Sequence, residues 1–344
     1  MLNNKMKTEI VKEEKLEEVI EELKQNRCVI IPTETVYGIG GNALSKEAVE
    51  NIFAIKERAR TNPLNVLIAD FEMVNMLATG YNSVEEKIMK KFWPGPLTII
   101  LDKKEEVPDI VTGGNKTIGV RIPDCDVTRN IIRKANMPLA CPSANLSGKP
   151  SGTKVTDIQN EFNEKVRYIV DNGESKLGIE STVVKVIDNK ACILRPGFVT
   201  KEDFESIGVN AYYDPNIFKK VEKGAKVLSE GMKNKHYVPE IDCYLVKENV
   251  VEKILNNADN NKDKKIIVIS CTENKSKYIR QNIVEVIDMG SKANVLEIGK
   301  NFFGILRSLE NKKADYVLIE EVEETGAGLA IMNRILRACE YKII

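Results

Sequence analysis

Between residues 28 and 197 the chain keeps returning to short apolar runs: "CVII", "NVLIAD", "LTIILD", "TIGVRIP", "PLACPS", "RYIVD", "STVVKVI" and "ACILRPG". Each is of strand length and is bounded by Pro, Gly, Ser, Thr, Asn or a charge. Once buried, their backbone N–H and C=O groups must pair with one another, so runs like these commit the chain to a sheet. Helical periodicity fills only some of the gaps. Ser45 caps a helix carrying Ala48, Val49, Ile52 and Phe53 on one face, and residues 84–92 form another that stops at "WPGP". Two more helices fall at about 126–135 and 155–163, and residues 9–25 also set Ile10, Leu16, Val19, Ile20 and Leu23 at helical spacing. Helices this unevenly spread cannot cross over between every pair of strands. The expected fold class is α/β, with a mixed twisted sheet over residues 1–207.

The pattern changes after residue 207. The stretch 208–240, containing "NIFKKVEKGAKVLSEGMKNKHYVP", is lysine-rich and aperiodic, and reads as a linker that orders against something. Residues 241–344 then alternate strand and helix patterns through "CYLV", "KKIIVIS", "IVEVIDM" and "ADYVLIEEV". That order predicts a small Rossmann-like, doubly wound α/β domain. No GxGxxG follows its first strand, so a dinucleotide site there has little support.

Composition narrows the chemistry. Lys and Arg total 51 and Asp and Glu total 51, so bulk charge calls for neither nucleic acid nor membrane. The single histidine, His236, argues against a His-based zinc site and a Ser-His-Asp triad. Seven cysteines, an odd number with no CxxC pair and several inside apolar runs, read as reduced, buried thiols of a cytoplasmic protein. The amino-terminal stretch is too charged for a signal peptide, and no run approaches the ~20 apolar residues of a membrane span.

The polar residues worth attention sit at strand ends, where open sheets bind ligands. In "PTETVYGIG", Thr33, Glu34 and Thr35 offer hydrogen-bonding groups, while Gly38 and Gly40 let backbone approach closely. A decorated turn is the plainer reading. In "KERARTNPL", Lys56, Arg58 and Arg60 follow a helix; offsetting the helix dipole explains one charge well and three poorly. "FWPGPLT" holds the only tryptophan and reads as a rigid wedge for the next strand. Thr117, Gly119 and Arg121 alternate along one strand and so share a face. Arg121, among apolar neighbours, needs a carboxylate or a ligand as partner. "CPSANLSGKPSGT" supplies Ser143, Asn145, Lys149 and Ser151 in a plausible anion-binding nest, without Walker or GxSxG spacing. Glu180, Ser181 and Thr182 open one strand, and Arg195 closes the next. Together these motifs describe a pocket for an anion beside a small hydroxylated molecule, acting by positioning and charge neutralisation.

"PTETVYGIG", "IKERARTNPL", "FWPGPLT", "GVRIP", "PSANLSG", "ESTVV" and "ILRPG", in this order, resemble the YrdC-like domain of the threonylcarbamoyl-AMP synthase family over about residues 15–205. "SEGMKNKHYVP" resembles the linker of its long two-domain form, and "GLAIMNRILRA" looks like part of its C-terminal domain. The resemblance implies a reaction: L-threonine, bicarbonate and ATP give threonylcarbamoyl-AMP and pyrophosphate, with Mg2+ accompanying ATP. A separate complex would then transfer the group to a tRNA adenosine beside the anticodon, and a weak contact with tRNA itself is a further expectation. By similarity, Thr33, Thr35, Arg121, Cys141 and Ser181 would hold threonine. Arg58, Asn62, Thr117, Ser143, Asn145, Ser151 and Arg195 would hold ATP, with His236 and Tyr237 closing over it. Lys56 and Arg58 would carry the catalytic charge. Glu34 and Glu180 are nominated as orienting groups or metal contacts, and no general base is evident. The chain departs from the family at Leu67, where histidine is usual, and at Glu230, Asn234 and Lys235 in the linker. Alternatives are an RNA-binding or regulatory YrdC-like protein without turnover, and a hydrogenase-maturation carbamoyltransferase. The latter would need acylphosphatase and Cys-rich zinc segments that this chain lacks.

Overall fold

The computed structural model describes residues 6–217, 219 and 237–344. Its first sheet has eleven strands: β1 (Glu9–Val11), β2 (Val29–Ile31), β3 (Gly38–Asn42), β4 (Asn65–Leu67), β5 (Leu97–Asp102), β6 (Thr117–Arg121), β7 (Leu139–Ala140), β8 (Tyr168–Val170), β9 (Thr182–Ile187), β10 (Lys190–Arg195) and β11 (Ala211–Tyr213). In space they run β1-β8-β2-β3-β7-β4-β6-β5-β9-β10-β11. Parallel pairs such as β4–β6 and β5–β9 alternate with antiparallel ones such as β2–β3 and β5–β6, so the sheet is mixed.

Among the described residues, seven α-helices accompany this sheet: α1 (Leu16–Lys24), α2 (Lys46–Ile55), α3 (Ser83–Phe92), α4 (Asp109–Thr112), α5 (Asp126–Ala135), α6 (Val155–Phe162) and α7 (Lys201–Ser206). Ser45 caps α2 by accepting from the Ala48 amide at 3.3 Å, and the helix buries Ala48, Val49, Ile52 and Phe53. Each such large apolar side chain contributes about 1.5–3 kcal/mol on burial. Asn82 and Glu85 form a capping box on α3. Trp93 acts as the wedge its loop suggested: it is buried, and its indole N–H donates to Leu97 O at 2.7 Å, at the start of β5.

Three elements contradict the sequence reading, and α4 and α7 are short helices it did not anticipate. Residues 9–11 are a strand, not a helix; they pair in parallel with β8, which leaves Ile10 exposed rather than on a buried helical face. Gly38–Asn42 is a buried strand, not a loop, antiparallel to β2. Ala211–Tyr213, inside the stretch read as linker, pairs with β10 and extends the first sheet.

The second sheet is all parallel, with β12 (Cys243–Val246), β13 (Ile266–Cys271), β14 (Ile283–Gly290) and β15 (Tyr316–Glu320) in the order β12-β15-β13-β14. Helices α8 (Val250–Asn260), α9 (Val295–Ser308) and α10 (Gly328–Ala338) complete a Rossmann-like unit. Its core, built on Phe302, Phe303 and Ile331, also takes in Val36, Ile179 and Tyr237 from outside the unit. The units meet closely where α9 crosses Gly178. That residue has φ +79°, and a Cβ there would sit 2.4 Å from Lys300 Cα, so only glycine fits. All seven cysteines are buried and none is in a disulfide.

Candidate active site

The turn from β2 to β3 is folded by its own hydroxyls. Thr33 Oγ1 accepts from the amides of Thr35 and Val36, both at 3.2 Å, and donates to Val36 O at 2.5 Å. The Thr35 hydroxyl lies 2.8 Å from that of Thr33. The turn thereby presents Thr35 and Glu34 to Arg121, the last residue of β6. Arg121 donates from Nε to Gly95 O (3.0 Å) and from Nη1 to Thr35 Oγ1 (2.9 Å). Its Nη2 lies 2.5 Å from Glu34 Oε2, an ion pair by distance whose angles are poor for a hydrogen bond. Glu34 is therefore the fixed carboxylate that a buried Arg121 requires.

The second wall comes from the ends of β9 and β10. Ser181 Oγ and Thr98 Oγ1 are 2.8 Å apart, and Arg195 donates from Nε to Ser181 O (3.0 Å) and from Nη2 to Ser181 Oγ (3.2 Å). Glu180 accepts from Ser151 Oγ at 2.7 Å and from Arg334 Nε, on α10, at 3.2 Å. Burial opposes ionisation of Glu180 most strongly. The charges of Arg334 and Arg195 and the bond from Ser151 together outweigh it and hold the carboxyl below its usual range.

The third wall is the loop after β7. Lys56 Nζ, fully buried, donates to Ser143 O and to Asn145 O, the latter at 2.8 Å; Ser143 Oγ donates to Asn145 Oδ1 at 2.6 Å. Gly38 lies against Cys141, and a Cβ there would be 2.3 Å from the sulfur, so a larger residue would have to displace it. Gly119 likewise leaves room for Asn65, whose Oδ1 would be 2.6 Å from an added Cβ.

Thr33, Thr35, Arg121, Cys141, Ser143, Ser181 and Arg195 all line one cavity. Leu67 lines it too, as do Glu180 and four residues the sequence did not single out: Val36, Tyr37, Asn65 and Thr98. Lys56, Asn145 and Ser151 are bonded to its wall rather than being part of it. Arg58 is buried, with Nη2 donating to Pro63 O at 3.1 Å. The Thr117 hydroxyl and the Asn62 Oδ1 are buried and meet no hydrogen-bond partner among the described residues. Lys149 pairs at 2.5 Å with Glu310 of the second unit instead of facing the cavity. Tyr237 is buried against Phe303, ring centroids 4.8 Å apart, while His236 lies outside the described residues.

Of the buried cations, Arg121 and Arg195 line the cavity, Lys56 and Arg334 bond to its wall, and Arg58 and Arg337 are not among its lining residues. Buried carboxylates on this side are Glu34 and Glu180; the other two, Glu22 and Glu320, belong to α1 and to β15. Guanidinium groups in the wall of such a cavity suit anionic ligands.

Comparison with known proteins decides the family. Residues 21–197 match the Sua5/YciO/YrdC family model, described as telomere recombination, and residues 199–339 match one described as threonylcarbamoyl-AMP synthase, C-terminal domain. The threonylcarbamoyl-AMP synthase of Pyrococcus abyssi is 38% identical over 327 residues, covering 94% of this chain and 93% of that protein. The chain belongs to the threonylcarbamoyl-AMP synthase family. The Bacillus subtilis synthase is 35% identical over 324 residues, covering 94% of this chain and 92% of its own length. A crystal structure of P. abyssi Sua5 complexed with L-threonine matches with a TM-score of 0.90 at 37% identity, covering 98% of this chain and 99% of that one. This synthase family accounts for the mixed sheet and the parallel-sheet unit that follows it.

Proposed function

We propose that the cavity makes threonylcarbamoyl-AMP from L-threonine, bicarbonate and ATP. The observation that carries this reading is a cavity lined with hydroxyls and with the buried guanidinium groups of Arg121 and Arg195, with the Lys56 ammonium bonded to its wall. Threonine has a carboxylate and a hydroxyl; ATP brings a triphosphate. In this reading Arg121 takes the threonine carboxylate, with Thr33, Thr35, Cys141 and Ser181 around the rest of the amino acid. Lys56, Arg58 and Arg195 face the phosphates, with Ser143, Asn145 and Ser151 shaping that end. The unpartnered oxygens of Thr117 and Asn62 suit contacts to the nucleotide. Tyr237, and His236 beyond the described residues, would cover it.

The chemistry balances in two steps. Threonine's ammonium group loses a proton, and its nitrogen displaces water from bicarbonate to give a carbamate. A carbamate oxygen then attacks the α-phosphorus of ATP, and pyrophosphate leaves. Glu34 and Glu180 are both engaged by arginines, so neither is assigned as the base; bicarbonate or water takes the proton. Buried cations already in place need no reorganisation as charge moves on to the pyrophosphate. Among the described residues no group of three His, Cys, Asp or Glu could hold a metal ion. In this reading Mg2+ would enter as the ATP complex, bound by phosphate oxygens and water.

The product is a mixed anhydride, fit to donate its threonylcarbamoyl group to an amine. We assign that acceptor to a tRNA adenosine, served by a separate transfer complex, with at most a weak contact between tRNA and this chain. The seven buried thiols, none in a disulfide, suit the cytoplasm, and no helix among the described residues is long and apolar enough to cross a membrane. The test is pyrophosphate release from ATP and bicarbonate. Release that requires L-threonine and is abolished in a folded Arg58→Ala variant supports the reading; release indifferent to threonine contradicts it.

A further inference from the structure

Arg334 sits on α10 of the second unit, yet every bond of its guanidinium that reaches another element goes to the first. It is fully buried. Nε donates to Glu180 Oε2 at 3.2 Å, Nη2 to Glu180 O at 3.3 Å and Nη1 to Pro196 O at 2.7 Å. Glu180 precedes Ser181, and Pro196 follows Arg195, so the fork spans the two strand ends that carry those cavity residues. A second arginine does the same for the neighbouring loop. Arg307, on α9, donates to Pro150 O (2.6 Å), Ser151 O (3.3 Å) and Asp157 O (2.6 Å). Ser151 in turn donates to Glu180 Oε1 at 2.7 Å. The run Arg307–Ser151–Glu180–Arg334 thus crosses the cavity's edge with an arginine of the second unit at each end.

Holding the two units together does not need this arrangement. Val36 and Ile179 pack into the second unit's apolar core, and α9 already meets Gly178 at close range. A guanidinium fork aimed at two carbonyls and one carboxylate fixes orientation as well as charge. We propose that Arg334 is a positioning residue for the cavity, and that holding Glu180–Ser181 and Arg195–Pro196 in register is a task the second unit performs for the first. This rests on the synthase reading above. Glu180 faces Arg334, Arg337 and Tyr237 on the second unit's side and Arg195 on the first's. Without Arg334 it keeps one direct cation fewer, and its proton is held to a higher pH.

The test compares the full chain with Arg334→Gln and Arg334→Lys. In Arg334→Gln, kcat/KM for threonine should fall at least about tenfold, and the acid limb of its pH profile should move to higher pH. Arg334→Lys, which keeps the charge but not the fork, should restore the limb and only part of the rate. Amide exchange over residues 180–182 and 195–199 should quicken in both variants with no substrate present. Wild-type constants and pH profile in a folded Arg334→Gln, or unchanged exchange, overturn the proposal. Should Arg334→Gln fail to fold, wild-type constants in Arg334→Lys do so. Failure of the unaltered chain to release pyrophosphate with threonine would instead sink the synthase reading, and exchange alone would then judge the arginine.

Discussion

Replacing Arg121 with Met keeps the aliphatic stem and removes the guanidinium. Glu34 is 5% exposed, and its oxygens have no hydrogen-bond partner among the described residues beyond the 2.5 Å ion pair. Stranding a buried carboxylate this way costs about 3–5 kcal/mol. Loss of the bonds to Gly95 O and Thr35 Oγ1 adds about 1 kcal/mol each. Glu34→Gln removes the charge instead, so the double variant Glu34→Gln/Arg121→Met should be less destabilised than the two single effects added together. The expected coupling is about 2–3 kcal/mol. Urea unfolding followed by the fluorescence of Trp93, the chain's one tryptophan and part of the first unit, reads this directly. Strict additivity, or a loss below about 1 kcal/mol in Arg121→Met, would refute the reasoning that Glu34 exists to hold Arg121. The same variant should raise the threonine KM roughly 10- to 150-fold, the worth of one charge-assisted bond at about 1.5–3 kcal/mol.

Two other perturbations follow from the same geometry. Because the folded state holds the Glu180 carboxyl below its ordinary value of 4.5, its ionised form stabilises the protein above that pH, and the contribution is lost as pH falls through the lowered value. The gap in Tm between the unaltered chain and Glu180→Gln should therefore be full near neutrality and close below pH 4.5; a gap that widens on acidification would contradict the ion pair. Leu67 lines the cavity where the family usually carries histidine, so Leu67→His should lower the threonine KM; an unchanged KM in a folded variant would mean another group already fills that role.

Most of the sheet was legible because each strand announced itself as an apolar run between breakers. The misreadings have physical causes. Glu9–Val11 forms a strand only because Tyr168–Val170 lies beside it, a pairing far along the chain that local periodicity cannot report. Gly38–Asn42 looked like loop because its glycines suggest turns, whereas here they let β3 lie against Cys141 and the core. Of the site, Thr35, Arg121, Ser143, Ser181 and Arg195 were visible as polar groups at strand ends, and the demand of Arg121 for a partner, carboxylate or ligand, was readable before Glu34 was seen to meet it. Asn65 and Thr98 gave no such signal, since each is one polar residue in an otherwise apolar strand. Arg334 could not be found at all by that route. It lies in an amphipathic helix more than a hundred residues from the carboxylate it holds, and only the docking of the two units brings them together.

The central claim is that one cavity holds threonine and the triphosphate side by side. A crystal structure of the chain with L-threonine and a non-hydrolysable ATP analogue tests it most directly. The account predicts the threonine carboxylate at Arg121 and the phosphates against Lys56, Arg58 and Arg195. Threonine or nucleotide bound elsewhere, with these cations facing neither, would contradict it.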